Sequence, residues 1–237
     1  ADWTPPEPLA YVARASDAWA ARRLDARFFA PRIQALLDLL EVGGRTISDV
    51  ASPRREIFRP NACETFDYIE ISDMDGDGEV SSTRLACDEA PSRATWHVRP
   101  DDVITSSVRP VRRLSAMITA EQNGFVCSSG FVVVQPKEIA PEVLLTYLRL
   151  PVICELLDLY ASASMYPAIT EADIFNLPLP PIPQAIEDRI IESIRGGRAA
   201  KVQASRLLDS AKRAVEIAIE DDESAALAYL GQLEGGA

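Results

Sequence analysis

The stretch "SDMDGDGEVSS", Ser72 to Ser82, alternates three aspartates with other residues and runs into a glycine. Counted from Asp73, the carboxylates Asp73, Asp75 and Asp77 fall at positions 1, 3 and 5, and Gly78 at 6, the order of an EF-hand calcium loop. Position 12, where such a loop needs a bidentate glutamate, is Arg84. The preceding "FDYIEI" alternates aromatic and β-branched residues as a strand does. Gly76 and Gly78 supply the positive φ of a tight turn. The stretch therefore reads as a turn between strands. A calcium-binding enzyme built on residues 73–79 is the alternative.

A second set of residues suits recognition. Arg54, Arg55 and Arg59 precede the first strong strand. Ser106, Ser107, Arg109, Arg112 and Arg113 lie in "ITSSVRPVRR", Ser128 and Ser129 in "CSSGF", and Ser162, Ser164 and Tyr166 in "ASASMYPAIT". A guanidinium is a planar fork of donors that matches phosphates and guanine edges, and hydroxyls add short-range contacts. An isolated surface arginine usually only solubilises. Arg109, Arg112 and Arg113 are different, because three cations within five residues must be neighbours.

Catalysis finds little to work with. His97 is the only histidine, in "SRATWHVRPDD", and reads as a surface or packing residue. No Gly-x-Ser-x-Gly elbow, Walker loop, Gly-x-Gly-x-x-Gly or Asp-Pro-Pro-Tyr occurs. The chain is expected to be non-catalytic and to hold no cofactor or metal of its own.

The 237 residues are 47% apolar, which supports a packed core. No apolar run is long enough to span a membrane, and no secretory signal opens the sequence, so a cytoplasmic protein is expected. The net charge of −12 argues against generic nucleic-acid affinity, although local patches can still steer binding. Lysine occurs only at 137, 201 and 212, and the abundance of arginine also fits a coding bias. Cys63, Cys87, Cys127 and Cys154 form no Cys-x-x-Cys pair, which reads as buried free thiols in a reducing compartment.

Positioning these residues requires a mixed α/β (α+β) fold. Residues 1–16 are Pro-rich and read as a flexible arm. A single domain spans 17–180, with an N-terminal helix over 17–42, a β-rich core over 46–135 and helices over 141–176. The core's clearest strands are "FDYIEI", "GEVSS", "DDVITSSV", "LSAMIT", "GFVC" and "GFVVVQP". After "LPLPPIP", residues 181–222 form a helical spacer, expected to project and to pair with a partner as a bundle or coiled coil. Its seam is Ile186, Ile190, Ile194, Leu208 and Val215, and Gly196-Gly197 should weaken or kink it. Residues 223–237 read as an acidic tail.

Four stretches occur in order: "FDYIEISDMDGDGEV", "RPDDVITSSVRP", "CSSGFVVVQP" and "LLTYLRLPVICELLDLYASASMYPAITEADIFNLPLPPIPQAIEDRIIESI". Together with "RRLDARFFAPRIQAL" upstream, this series resembles the target-recognition domain and helical conserved region of type I restriction-modification specificity subunits, over roughly 22–220. Asp101-Asp102 departs from the family's usual Gly-Asp. The resemblance implies a mixed α/β recognition unit with a curved sheet, reading one half of a bipartite double-stranded DNA site. It also implies a helical ruler that docks methyltransferase subunits. Full-length members carry two such halves, so a single half is expected to pair with a second copy or another half-subunit. Arg54, Arg55, Arg59, Ser107, Arg109, Arg112, Arg113, Ser129 and Tyr166 are the expected DNA contacts. S-adenosylmethionine, Mg²⁺ and ATP would belong to partner subunits in a restriction or phage-defence complex. An acidic adaptor or DNA mimic on the same fold is the alternative that the charge suggests.

Overall fold

In this computed structural model, which describes residues 10–161 and 167–234, the described residues form eight strands and seven α-helices. Strands β1 (Ala51–Pro53), β5 (Val103–Ser106), β6 (Ser115–Met117) and β8 (Phe131–Pro136) make sheet I in the order β1-β8-β5-β6, antiparallel throughout. Strands β2 (Thr65–Ile69), β3 (Thr83–Ala86), β4 (Ala94–His97) and β7 (Val126–Ser128) make sheet II in the order β3-β2-β7-β4, with β2 and β7 parallel. The helices are α1 (Ala15–Ala21), α2 (Pro31–Leu40), α3 (Pro141–Leu148), α4 (Pro151–Tyr160), α5 (Glu171–Phe175), α6 (Gln184–Glu220) and α7 (Glu223–Glu234). The chain divides into two units, Ala1–Glu187 and Asp188–Ala237. The fold is mixed α/β, and its strands divide into two sheets where one curved sheet was expected.

The layers follow from strand periodicity. In β8, Val132 and Val134 join the core shared with α2, α3, α4 and α5, while Phe131 and Val133 join the core shared with sheet II. In β5, Val103 faces the first core and Ile104 the second; in β6, Met117 faces the first and Ala116 the second. Successive side chains of a strand point to opposite faces, so a strand buried on both reads as a continuous apolar run. Each such side chain contributes roughly 2 kcal/mol of burial. Sheet I is thus a middle layer, helices on one side and sheet II on the other. A third cluster of Phe58, Phe66, Tyr68, Cys87 and Val126 covers the outer face of sheet II.

The two sheets are joined at their edges by residues 54–58. Arg54 N–H donates to Val133 O on sheet I (3.0 Å), whereas His97 N–H donates to Glu56 O (2.8 Å) and Phe58 N–H to Thr95 O (2.8 Å) on sheet II. The crossing is fixed by a buried ion pair. Asp102 is 1% exposed and Arg54 17%, and the guanidinium grips the carboxylate through Nε and Nη2, the latter at 2.9 Å. Arg99 N–H donates to the same carboxylate at 2.8 Å.

The Asp-rich stretch is a turn, as expected. Asp75 Oδ1 accepts from Asp77 N–H and Glu79 N–H, both at 2.9 Å, and Met74 bridges Val80. Gly78 holds φ +86°, a conformation that favours glycine, and a Cβ there would stand 3.0 Å from Ser115 O and displace the Arg149 guanidinium. Arg149 Nη1 donates to Ser115 O (2.8 Å) and its Nη2 to Gly76 O, tying the turn to sheet I. Among the described residues no three His, Cys, Asp or Glu side chains gather as a metal site.

Several expectations are corrected. The helix expected over 17–42 is two: Arg22, in the left-handed region at φ 51°, ends α1, and Pro31 opens α2. "GEVSS" contributes only the Val80 bridge, and β1, β3 and β4 were not anticipated. Residues 1–9 of the expected arm and 235–237 of the expected tail lie outside the described residues, but 223–234 are helical, with Asp222 Oδ1 accepting from Ala225 N–H at 2.8 Å. Gly196 and Gly197 do not break α6, which is continuous over 37 residues. No helix among the described residues is long and apolar enough to cross a membrane.

The cysteines are not all free. Cys63 and Cys87 form a disulfide with Cα atoms 6.0 Å apart. The β2–β3 pairing explains it: Thr65 lies opposite Ala86, and Cys87 N–H donates to Glu64 O, so the hairpin's continuation brings the two thiols together. Cys127 and Cys154 are free and buried, and burial pushes their thiols up to about 12 and about 11.

Two outcomes follow. Asp102→Asn leaves Arg54 without its countercharge and is expected to cost about 3 kcal/mol in urea unfolding. Thiol titration of the unfolded, non-reduced chain should count two reactive cysteines, rising to four after reduction; four at the outset would remove the Cys63–Cys87 bond.

Candidate nucleic-acid interface

One end of sheet I gathers most of the anticipated contact loops. There β5 ends at Ser106 opposite Phe131, where β8 begins, and β6 begins at Ser115 opposite Thr105. The chain leaving β5 turns through Ser107 to Arg113, with a short 3₁₀ turn at Pro110–Arg112 that packs on α4. Pro110 anchors this turn by burial, while Arg109, Arg112 and Arg113 are exposed.

Backbone hydrogen bonds draw three further segments to this loop. Ser107 donates from both N–H (2.8 Å) and Oγ (2.9 Å) to Gly130 O in the β7–β8 turn. Ser129 N–H donates to Arg93 O at 2.7 Å, which brings in the turn before β4. Ile169 N–H donates to Ser107 O (2.9 Å) and Arg109 N–H to Pro167 O (2.9 Å), and Val108 bridges Ala168. Gly130 packs on Ile71, whose Cδ1 would stand 2.6 Å from a Cβ there. Segments 107–113, 129–130 and 167–169 therefore form one surface with Arg93.

Two of its arginines hold unusual backbone. Arg109 and Arg113 sit in the left-handed region at φ 51° and 55°. For a non-glycine residue this costs on the order of 1 kcal/mol each, and such positions concentrate at functional loops.

The other anticipated residues are placed differently. Arg55 is 64% exposed and reaches α5, where its Nη2 lies 2.6 Å from Glu171 Oε1, two residues beyond Ile169. Arg54 was expected to clamp a DNA backbone, but its guanidinium is used internally against Asp102. Arg59 is exposed beside a separate cleft of about 470 Å³ lined by Phe58, Phe66, Asp67 and His97. That cleft lies toward the His97 end of β4, about 13 Å of strand from Arg93. His97 packs there, its Nδ1 3.0 Å from Gly124 O and its ring edge-on to Phe58 at 5.5 Å. Ser107 spends its hydroxyl proton on Gly130, leaving its oxygen only as an acceptor. Ser129 is exposed at the turn. Tyr166, Ser162 and Ser164 lie outside the described residues.

Sequence reasoning missed Arg93. It is exposed, and its carbonyl secures Ser129. The signal was the "PSRAT" turn, which becomes visible once β4 is recognised as a strand. Arg99 is also paired: its Nε lies 3.0 Å from Glu56 Oε2. The Arg99 guanidinium holds the Glu56 carboxyl below its usual range.

On α6, the anticipated seam is open to solvent in the single chain. Ile186 is 43% exposed, Leu208 57% and Val215 59%, while Ile190 and Ile194 are half-buried.

No sequence family and no curated protein matches this chain. Solved structures do. One is a chain from a structure concerning complex assembly and conformational transition of the type I R-M system, 29% identical, with a TM-score of 0.56, covering 73% of this chain and 46% of the other. Another is the HsdS subunit from Thermoanaerobacter tengcongensis, 28% identical, with a TM-score of 0.56 and the same coverage. The chain thus spans about half the length of the solved structures it matches, 46% in both cases. In fold, and at 28–29% identity in sequence, the chain is similar to specificity subunits of type I restriction-modification systems.

Proposed function

We propose that this chain is a non-catalytic, sequence-reading DNA-recognition subunit of a type I-like restriction-modification or phage-defence complex. The observation that carries this reading is the surface at the end of sheet I. Backbone hydrogen bonds gather the 107–113 loop, the 129–130 turn and residues 167–169 there, in a fold shared with specificity subunits. Loops mounted on a rigid scaffold suit base readout, because the scaffold has already met the cost of ordering them. Arg109, Arg112, Arg113 and Arg93 are the cations of this surface, and Ser129 is an exposed hydroxyl within it. Arg59, at its separate cleft, contacts the backbone only if the duplex extends that far.

In this reading the surface takes one half of a bipartite double-stranded site. The exposed seam of Ile186, Ile190, Ile194, Leu208 and Val215 pairs with a second copy or another half-subunit, and the helical region docks methyltransferase subunits. Those subunits would bring S-adenosylmethionine, Mg²⁺ and ATP, and the complex would act in the cytoplasm. The net charge of −12 favours a second reading, an acidic adaptor or DNA mimic on the same fold.

Selection from a randomised duplex pool, with the chain alone and with its methyltransferase subunits, separates the two. Recognition predicts an enriched motif repeated at a fixed gap; enrichment of no motif in either arm would leave the adaptor. Arg113→Gly provides a sharper check. It relieves left-handed strain, so thermal stability should hold or rise by up to about 1 kcal/mol. Duplex affinity should nonetheless fall about tenfold, as for loss of one guanine or phosphate contact.

A further inference from the structure

The chain's charge is not spread evenly. Between Arg195 and Arg213 there are six cations, Arg195, Arg198, Lys201, Arg206, Lys212 and Arg213, against the single carboxylate Asp209. Carboxylates collect on either side, at Glu187, Asp188 and Glu192 before it and from Glu216 to Glu223 after it. A helix kept soluble by its charges would interleave the two signs at i,i+4 spacing. Here the middle of α6 is set apart as a basic block within an acidic protein.

Helical geometry concentrates the block further. Arg195, Arg206 and Arg213 are separated by 11 and 7 residues, close to whole numbers of turns. At 100° per residue they fall within about 20° of one another, with Arg198 about 60° to one side. Of the apolar seam, Ile186, Ile190, Leu208 and Val215 lie about 140–180° away around the axis, and Ile194 about 100° away on the side of Arg198. Ala214, which is buried, is about 100° away on the opposite side from Arg198. The arginine line is therefore clear both of the seam expected to meet a partner and of the helix's buried position.

The ion pairs of Arg213 and Lys212 are weak ones. Arg213 Nη1 meets Glu216 Oε2 at 2.9 Å and Glu220 Oε2 at 3.8 Å, and Lys212 meets Asp209 at 3.5 Å, with every one of these side chains at least 52% exposed. Exposed pairs of this kind contribute under about 1 kcal/mol and exchange readily for a stronger anion. From Arg195 to Arg213 the helix rises about 27 Å, the length of about eight base pairs of duplex.

We propose that the Arg195–Arg206–Arg213 line of α6 is a binding stripe for the phosphate backbone of duplex DNA, independent of sequence. It adds cations to those that Arg93, Arg109, Arg112 and Arg113 present on the first unit. This rests on the DNA-recognition reading above and adds to it a second contact, outside the loops that read bases. Phosphate, not a carboxylate-bearing protein, is the favoured occupant, because arginine's fork matches it bidentately and the cations are strung along a line as backbone charges are.

The test is the salt dependence of binding. The full chain and its Arg195→Gln/Arg206→Gln/Arg213→Gln variant are titrated with a 40-base-pair mixed-sequence duplex from about 50 to 200 mM salt, after circular dichroism confirms matching helicity and with the mass of each followed by sedimentation. Loss of three phosphate contacts should flatten the log–log slope by about 2.7, so that the affinity ratio across that range shrinks about fortyfold. An unchanged slope overturns the stripe and leaves the loop-reading surface standing. A wild-type chain that binds no duplex at any salt overturns both. A variant whose slope is unchanged but whose mass alters assigns the stripe to contacts between copies, which also overturns the proposal.

Discussion

The first unit depends on one buried pair. Asp102 is almost wholly removed from water, and a carboxylate there is tolerable only because Arg54 grips it with two donors and Arg99 N–H adds a third. The pair sits where residues 54–58 leave the edge of sheet I and join the edge of sheet II. Two sheets packed face to face could slide while preserving most apolar contact, since burial is non-directional. A bidentate ion pair is directional, and it fixes one relation between them. The surface at the end of sheet I, which draws residues from both sheets, inherits that relation.

How much of this was legible in the sequence depended on whether a feature was local. Strand β8 was visible because four adjacent apolar residues can only be a strand buried on both faces or a helix fragment, and Gly130 before it decided the matter. Strands β3 and β4 are short and only partly buried, without the apolar run that marks the equally short β6 and β7, and β1 ends in a proline, so their sequences carry no strand signal of their own. The disulfide was invisible for the same reason: Cys63 and Cys87 become neighbours only when β2 and β3 pair. The arginines show the limit most directly. Arg54 and Arg55 are adjacent, yet alternation sends one inward to Asp102 and the other outward to Glu171. Composition identified both as candidates and could not say which would remain on the surface. The order of the four quoted stretches along the chain carried the family likeness.

The electrostatics change character along the chain. The net charge of −12 is a sum over the whole chain, whereas the field at a surface is local. Cations on the loops at the end of sheet I and along the middle of α6 are grouped, whereas many others are tied to carboxylates within the fold, as Arg32 is to Glu155, Arg99 to Glu56 and Arg84 to Asp67. Pairing of that kind removes an arginine from the surface field without changing the count.

The Gly196-Gly197 pair has a mechanical consequence. Both glycines lie within an unbroken helix and have open space where side chains would stand. The hydrogen-bonded ladder sets contour length, while the stiffness of a helix against bending comes partly from side chains crowding successive turns. A rod thinned at one point keeps its length and yields in direction. In α6 that point is Gly196-Gly197, so the helix keeps its 37-residue length while its two portions can differ in direction.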